Sequence, residues 1–183
     1  GKGGAIKRIV KKLDPREYEV YSISAPERYE LARPYLWRFW TKLQDDGDVV
    51  IFDRTWYGRV LVERIEGFAN AVEWQRAYDE INRFEKNLVD NQTVVIKIWL
   101  AISKDEQEKR FKAREETPHK RFKITPEDWR NREKWDNYLH AAADMFERTN
   151  TTHAPWYIVA TDDKNSARIA VLKAILKQLK TGD

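Results

Sequence analysis

Three short stretches of the chain hold residue types that can handle phosphate. The chain opens on Gly1-Lys2-Gly3-Gly4. Residues without side chains let backbone N–H groups point at phosphate oxygens, and Lys2 adds a mobile cation at the positive end of the helix that follows. The second stretch is the apolar run Val49-Val50-Ile51-Phe52, which delivers Asp53 and Arg54 together, with Arg59 shortly after. The carboxyl end of a strand in an open α/β sheet is where ligands bind. A carboxylate there can hold Mg²⁺ directly or through water, and a guanidinium can clamp a phosphate through two parallel hydrogen bonds. The third stretch spaces Lys104, Gln107, Arg110 and Arg114 by threes and fours, which puts them near one helix face. His119, Lys120, Arg121 and Lys123 follow at once in the segment 117–124, a candidate mobile lid. Cations on a closing element can neutralise the charge of a phosphoryl-transfer transition state and exclude water.

Each stretch alone has a plainer reading: a flexible terminus, a solvent-exposed Asp-Arg pair, a solvated helix face. Lys7, Arg8, Lys11 and Lys12 extend the pattern, because positions 7 and 11, like 8 and 12, lie one helical turn apart and form a basic track leading away from the glycines. A single nucleotide does not need such a track, whereas an extended anionic chain does. Glu63 is the nearby carboxylate expected to approach the Asp53 edge. The aromatic run Tyr35 to Trp40 reads as core more readily than as a base-stacking platform. His119, His140 and His153 lack metal-ligand spacing, so zinc and histidine catalysis are not expected.

Short apolar strands alternate with longer amphipathic patterns, the βαβ signature of a parallel sheet covered by helices. Strands are expected over 18–24, 48–52, 93–102 and 156–160. Helices are expected over 4–13, 28–43, 57–67, 72–90, 104–115, 126–148 and 165–180, with Thr125 as an N-cap and Pro126 at the first helical position. A glycine loop of this kind normally follows a buried strand, so a first strand and the front of the loop are expected upstream of Gly1.

With 183 residues, the chain fits one domain and one core. Its 35% charged residues coexist with 13% aromatics and eight Trp, the composition of a charged surface around an aromatic interior. The absence of cysteine excludes disulfides, thiolate metal sites and thiol nucleophiles. No stretch approaches the ~18 apolar residues of a membrane span, and a cytoplasmic protein is expected. A net charge of +4 permits nucleic acid, phosphorylated metabolites or an anionic polymer as partners.

Taken together, GKGGAIKR at 1–8, RPYLWRFW at 33–40, FDRTWYGRVLVERIEGF at 52–68 and KDEQEKRFKAREETPHKRFKITPEDWRNREKWD at 104–136 resemble type 2 polyphosphate kinases from end to end. The resemblance implies an α/β, P-loop kinase-like three-layer fold with a parallel sheet and a helical lid over about 104–136. In the family's GxDxxGKGG loop, Lys2 matches the lysine and Gly1, Gly3 and Gly4 match the glycines, while the upstream Asp has no counterpart here. Asp53 and Arg54 match the Walker B acid and its neighbouring arginine, and Arg110 and Arg114 match the lid motif. The implied reaction moves the terminal phosphoryl group of inorganic polyphosphate to a nucleoside mono- or diphosphate, in line and without a phosphoenzyme, with Mg²⁺ or Mn²⁺ at Asp53. Lys7, Arg8, Lys11, Arg59, Glu63, Lys104, Lys120, Arg121 and Lys123 are the expected binding residues. AMP is the expected acceptor; ADP, GDP and a non-catalytic copy in a fused chain are the alternatives. Neither membrane nor nucleic acid is expected as a partner, and the domain is expected to form a homo-oligomer or to be fused to a second copy of itself.

Overall fold

In the computed structural model, which describes residues 1–44, 47–118, 124 and 126–181, the glycine-rich opening leads straight into helix α1 (Lys2–Val10), with Gly1 at its N-cap. Strand β1 (Tyr18–Ser22) pairs in parallel with β2 (Val49–Asp53), in a register that sets Tyr18 opposite Val49 and Ser22 opposite Asp53. Strand β3 (Lys97–Ala101) pairs in parallel with β4 (Trp156–Ala160), with Lys97 opposite Trp156 and Ala101 opposite Ala160. Among the described residues these are two separate two-stranded sheets.

The expected helix over 28–43 is two short pieces, α2 (Arg28–Leu31) and α3 (Trp37–Trp40). The reason is Pro34, which cannot donate to a helix and disfavours helical geometry at Arg33. The segment after β2 is also broken. It starts as a 3-10 turn over Trp56–Val60 and passes through Leu61 (φ −114°, ψ −99°) into α4 (Val62–Ile65). The expected helix over 126–148 divides at Lys134 (φ −90°, ψ 22°) into α7 (Pro126–Glu133) and α8 (Trp135–Thr149).

The two long patterns between these breaks hold. Helix α5 (Ala71–Asp90) carries a reciprocal cap: Glu73 N donates to Asn70 Oδ1 at 3.0 Å and Asn70 N donates to Glu73 Oε2 at 2.8 Å. Helix α6 (Lys104–Glu115) occupies its expected span, capped by Ser103, whose hydroxyl accepts from Glu106 N. Helix α9 (Lys164–Thr181) closes the described chain. Pro126 does begin its helix; Thr125, the expected cap, lies outside the described residues.

The main core joins Phe39, Trp56, Tyr57, Val60, Tyr78, Ile81 and Phe84, with rings meeting edge-on, as between Trp56 and Phe84 at 4.8 Å. Phe39 is core, as expected for the aromatic run, while Trp40 stays half-exposed against Phe84. A second cluster of Ala5, Val159, Ala167 and Val171 locks α1 and α9 onto β4. Among the described residues no helix is long and apolar enough to cross a membrane.

An ion pair lies inside the main core. Lys97 Nζ donates to Glu85 Oε2 at 2.8 Å, to Tyr57 OH at 2.9 Å and to the Thr149 carbonyl at 2.7 Å. Glu85 Oε1 accepts from Tyr57 OH at 2.7 Å and from Trp56 Nε1 at 3.0 Å. Burial pushes the Lys97 ammonium below its ordinary range, against the pull of Glu85. Because every donor and acceptor of the pair is engaged, this network holds the 3-10 turn, and with it the end of β2, against α5, β3 and α8.

Candidate active site

Strand β2 ends at Asp53, and the next residue turns the chain sharply. Arg54 has φ 68°, left-handed backbone that a non-glycine residue adopts at a cost of about 1 kcal/mol. Thr55 then caps the 3-10 turn by accepting from Tyr57 N at 3.2 Å. The Arg54 side chain is exposed at this corner.

Lys2, in the first turn of α1, reaches across to this strand end, and its Nζ lies 3.4 Å from Asp53 Oδ1. That oxygen is buried and has no hydrogen-bond partner among the described residues. Such an acceptor is costly to leave unmet, and the amine at 3.4 Å compensates it only through charge. Among the described residues there is no group of three or more His, Asp or Glu side chains able to hold a metal. A cation at Asp53 would therefore draw most of its oxygen ligands from phosphate and water, the ordinary way Mg²⁺ is bound.

Beside Lys2, a cleft of about 380 Å³ is lined by Gly1, Gly3 and Gly4 from α1, Arg110 and Arg114 from α6, and Thr161 after β4. The lid-motif arginines and the glycine loop thus meet, although Arg110 is largely committed. Its Nη2 donates to the carbonyls of Thr161 at 2.6 Å and Asp162 at 2.9 Å, and its Nε donates to Glu106. Arg110 therefore fixes α6 to the end of β4 and adds charge to the cleft from a rigid position. A depression of about 440 Å³ between α6 and α7, bordered by Glu115, Trp129 and Glu133, shares no lining residue with this cleft and lacks its cationic character.

Arg59 and Glu63 form a separate cluster. Arg59 Nε pairs with Glu63 Oε2 at 2.8 Å, and its guanidinium lies 4.4 Å over the Tyr35 ring. Burial raises the Glu63 carboxyl above the ordinary range, opposed by Arg59 and Arg38. Protonation of Glu63 therefore favours the fold. Its contribution is complete below the ordinary glutamate value and is lost as pH climbs through the raised one. Glu63→Gln should accordingly gain stability relative to the parent as pH rises above the ordinary glutamate value, read by denaturant titration at each pH.

Lys7, Arg8, Lys11 and Lys104 are exposed, the first three along α1 and the last at the start of α6. His119, Lys120, Arg121 and Lys123 lie outside the described residues. Sequence reasoning missed Arg38, which donates to the Ser24 carbonyl and pairs with Glu30 at 3.3 Å. It also missed Lys164 and Arg168 on the wall of the cleft. The signal for the last two was present, since they lie on the helix that follows strand β4, beyond a strand end of the kind that carries Asp53 and Arg54 at β2.

Residues 1–183 match the family model described as Polyphosphate kinase 2 (PPK2). The chain is 78% identical over 180 residues to a polyphosphate:AMP phosphotransferase of Acinetobacter johnsonii, covering 98% of this chain and 38% of that protein. It is 56% identical over 175 residues to a protein of the same name from Pseudomonas aeruginosa, covering 96% of this chain and 35% of that one. The crystal structure of polyphosphate kinase 2 from Arthrobacter aurescens superposes with a TM-score of 0.95 at 39% identity, over 99% of this chain and 64% of that one. The chain thus spans little more than a third of the length of the two phosphotransferases it matches so strongly. With the family model matching the whole of residues 1–183, the chain belongs to the polyphosphate kinase 2 family.

Proposed function

We propose that this chain is the catalytic domain of a phosphotransferase that moves the terminal phosphoryl group of inorganic polyphosphate to AMP, giving ADP. The observation that carries this reading is the approach of Lys2 Nζ to within 3.4 Å of Asp53 Oδ1, which puts the loop cation and the strand-end carboxylate at one point. The names borne by the relatives at 78% and 56% identity favour polyphosphate as donor and AMP as acceptor.

In this reading, loop amides and Lys2 cradle phosphates at the transfer point, and exposed Arg54 orients the acceptor phosphate. Arg110 and Arg114 supply fixed positive charge where the transferring group loses its bond. The acceptor oxygen is already ionised near neutral pH, so alignment and electrostatics suffice and no general base is required. A divalent cation, Mg²⁺ or Mn²⁺, fits the unmet Asp53 oxygen, and Asp53 would hold it; when bound it would neutralise phosphate charge. The exposed Lys7, Arg8 and Lys11 suit a polymer, and the loop carrying Lys120, Arg121 and Lys123 is the proposed closing element. The P-loop kinase reading needs a strand to unite the two parallel pairs, and that strand would belong to the part of the relatives' length this chain does not span. A cytoplasmic site of action and assembly with a second copy of the domain, fused or separate, belong to the same proposal.

The test is to incubate the full polypeptide with Mg²⁺, long-chain polyphosphate and AMP, and to measure ADP with no other donor present. ADP is the expected product. ATP formed only when ADP is supplied would change the acceptor, and polyphosphate binding without transfer would overturn the catalytic reading.

A further inference from the structure

Helix α9 is apolar on two opposite faces. Ala167, Val171 and Ala174 are buried, and the first two pack with Ala5 and Val159 in the second core cluster. Ile169, Leu172, Leu176 and Leu179 are exposed, with 37% to 57% of their surface open to solvent. Their steps of three, four and three residues set them in one line along the helix, on the side turned away from the domain. A surface helix needs one apolar stripe, whereas a helix that is apolar on both sides is built to lie between neighbours. Among the described residues α9 packs on α1 and β4, and its outer line stays open.

The charges beside this line are all of one sign. The helix carries Lys164, Arg168, Lys173, Lys177 and Lys180 and no Asp or Glu. Lys173, Lys177 and Lys180 are exposed and form no ion pair among the described residues. With Ile169 and Leu176 at the a positions of a heptad and Leu172 and Leu179 at d, Lys173 and Lys180 fall at e and Arg168 at g. Those are the places whose charges choose a helical partner. A second copy of α9 would set cations against cations in either orientation, so it is the wrong occupant. A helix that lies on a membrane brings Trp or Phe to its apolar face, and α9 has no aromatic ring. The fitting occupant is a helix with its own apolar seam and with Asp or Glu along its flanks. The relatives at 78% and 56% identity are more than twice as long as this chain, which leaves ample length to supply one.

We propose that the outer face of α9 is the docking surface for an acid-flanked amphipathic helix supplied by the part of the same polypeptide that lies outside residues 1–183. The apolar side chains of that helix cover Ile169, Leu172, Leu176 and Leu179, and its carboxylates face Lys173, Lys177 and Lys180. The inference goes beyond the reaction proposed above and does not depend on it.

The experiment mixes isotope-labelled and unlabelled full polypeptide and treats it with a water-soluble carbodiimide, which joins a lysine amine to a carboxylate only where the two already meet. The joined peptides are then mapped by mass spectrometry. Links are expected from Lys173, Lys177 or Lys180 to Asp or Glu outside residues 1–183, with both peptides of a link bearing the same label. Mixed labels would give the face to a second copy, and links only to carboxylates within 1–183 would give it to this domain. Either result, or no link at all, overturns the proposal. Leu176→Ser tests the apolar half of the contact: removing one leucine from a covered seam should speed hydrogen exchange of the α9 amides about tenfold. Leu31→Ser, at an exposed leucine on α2, should leave that exchange as in the parent. Unchanged exchange in Leu176→Ser would count against the docked helix as firmly as a missing link. Binding of the parent to vesicles of anionic phospholipid, abolished by Leu176→Ser, would assign the face to a membrane and overturn the proposal too.

Discussion

Asp53→Asn should reduce the initial rate of ADP formation from polyphosphate and AMP by about 10³, the scale on which a single essential transition-state charge acts in phosphoryl transfer. The substitution keeps the shape of the side chain and removes its charge, and the buried Oδ1 facing Lys2 at 3.4 Å is where that charge is felt. The fold has little stake in it. The backbone of residue 53 is held separately, its carbonyl accepting from Ile23 N at 3.0 Å. An ion pair between a half-exposed lysine and a partly exposed aspartate contributes at most about 1 kcal/mol. Unfolding curves of the variant should therefore overlay those of the parent while turnover collapses. Lys2→Ala should do the same, and the double variant should be scarcely worse than either, since two groups acting on one phosphate lose their effect together. Near-normal turnover in Asp53→Asn would remove this point from the mechanism.

The second large effect is on stability. Lys97→Met should lower the free energy of unfolding by about 3–5 kcal/mol, the usual cost of stranding one member of a buried pair. Glu85 would keep its contacts with Trp56 and Tyr57 but lose its counter-charge in a site with no solvent access. Adding Glu85→Leu should recover much of that loss, because an apolar pair of similar volume has no desolvation to offset. Urea denaturation of the two variants and the parent measures both steps. The double variant should still turn over slowly, since Trp56 and Tyr57 lose the acceptor that holds the segment just after Arg54. Full activity in it would mean the network stabilises the fold without positioning the strand end.

Local chemistry told most about the site and least about its supports. Asp53 and Arg54 were legible because the period of an apolar strand ends where two charges begin. Helix α6 was legible to its termini because Ser103 caps it and its charges complement the ends. The helix expected over 28–43 failed on one residue, Pro34, whose effect on the preceding position outweighed an otherwise helical run of aromatics. The Glu85–Lys97 pair could not be read at all. Each is an unremarkable charge in its own element, and only packing α5 against β3 turns them into the anchor of a neighbouring turn. Lys164 and Arg168 fall between these cases. The rule that ligands gather at strand ends applies to β4 as well as to β2, yet their partner surface, Gly4, lies at the far end of the chain.

The left-handed backbone at Arg54 sets two selective pressures against each other at one position. Geometry at φ 68° favours glycine, which occupies that region without steric cost. The arginine side chain projecting from the corner is what the acceptor phosphate would meet. A library varied at this codon and sorted for thermal tolerance should enrich glycine, and the same library sorted for phosphate transfer should retain arginine. Sequence drift towards glycine in any copy of the domain would then mark one that has kept its architecture after its chemistry was no longer required.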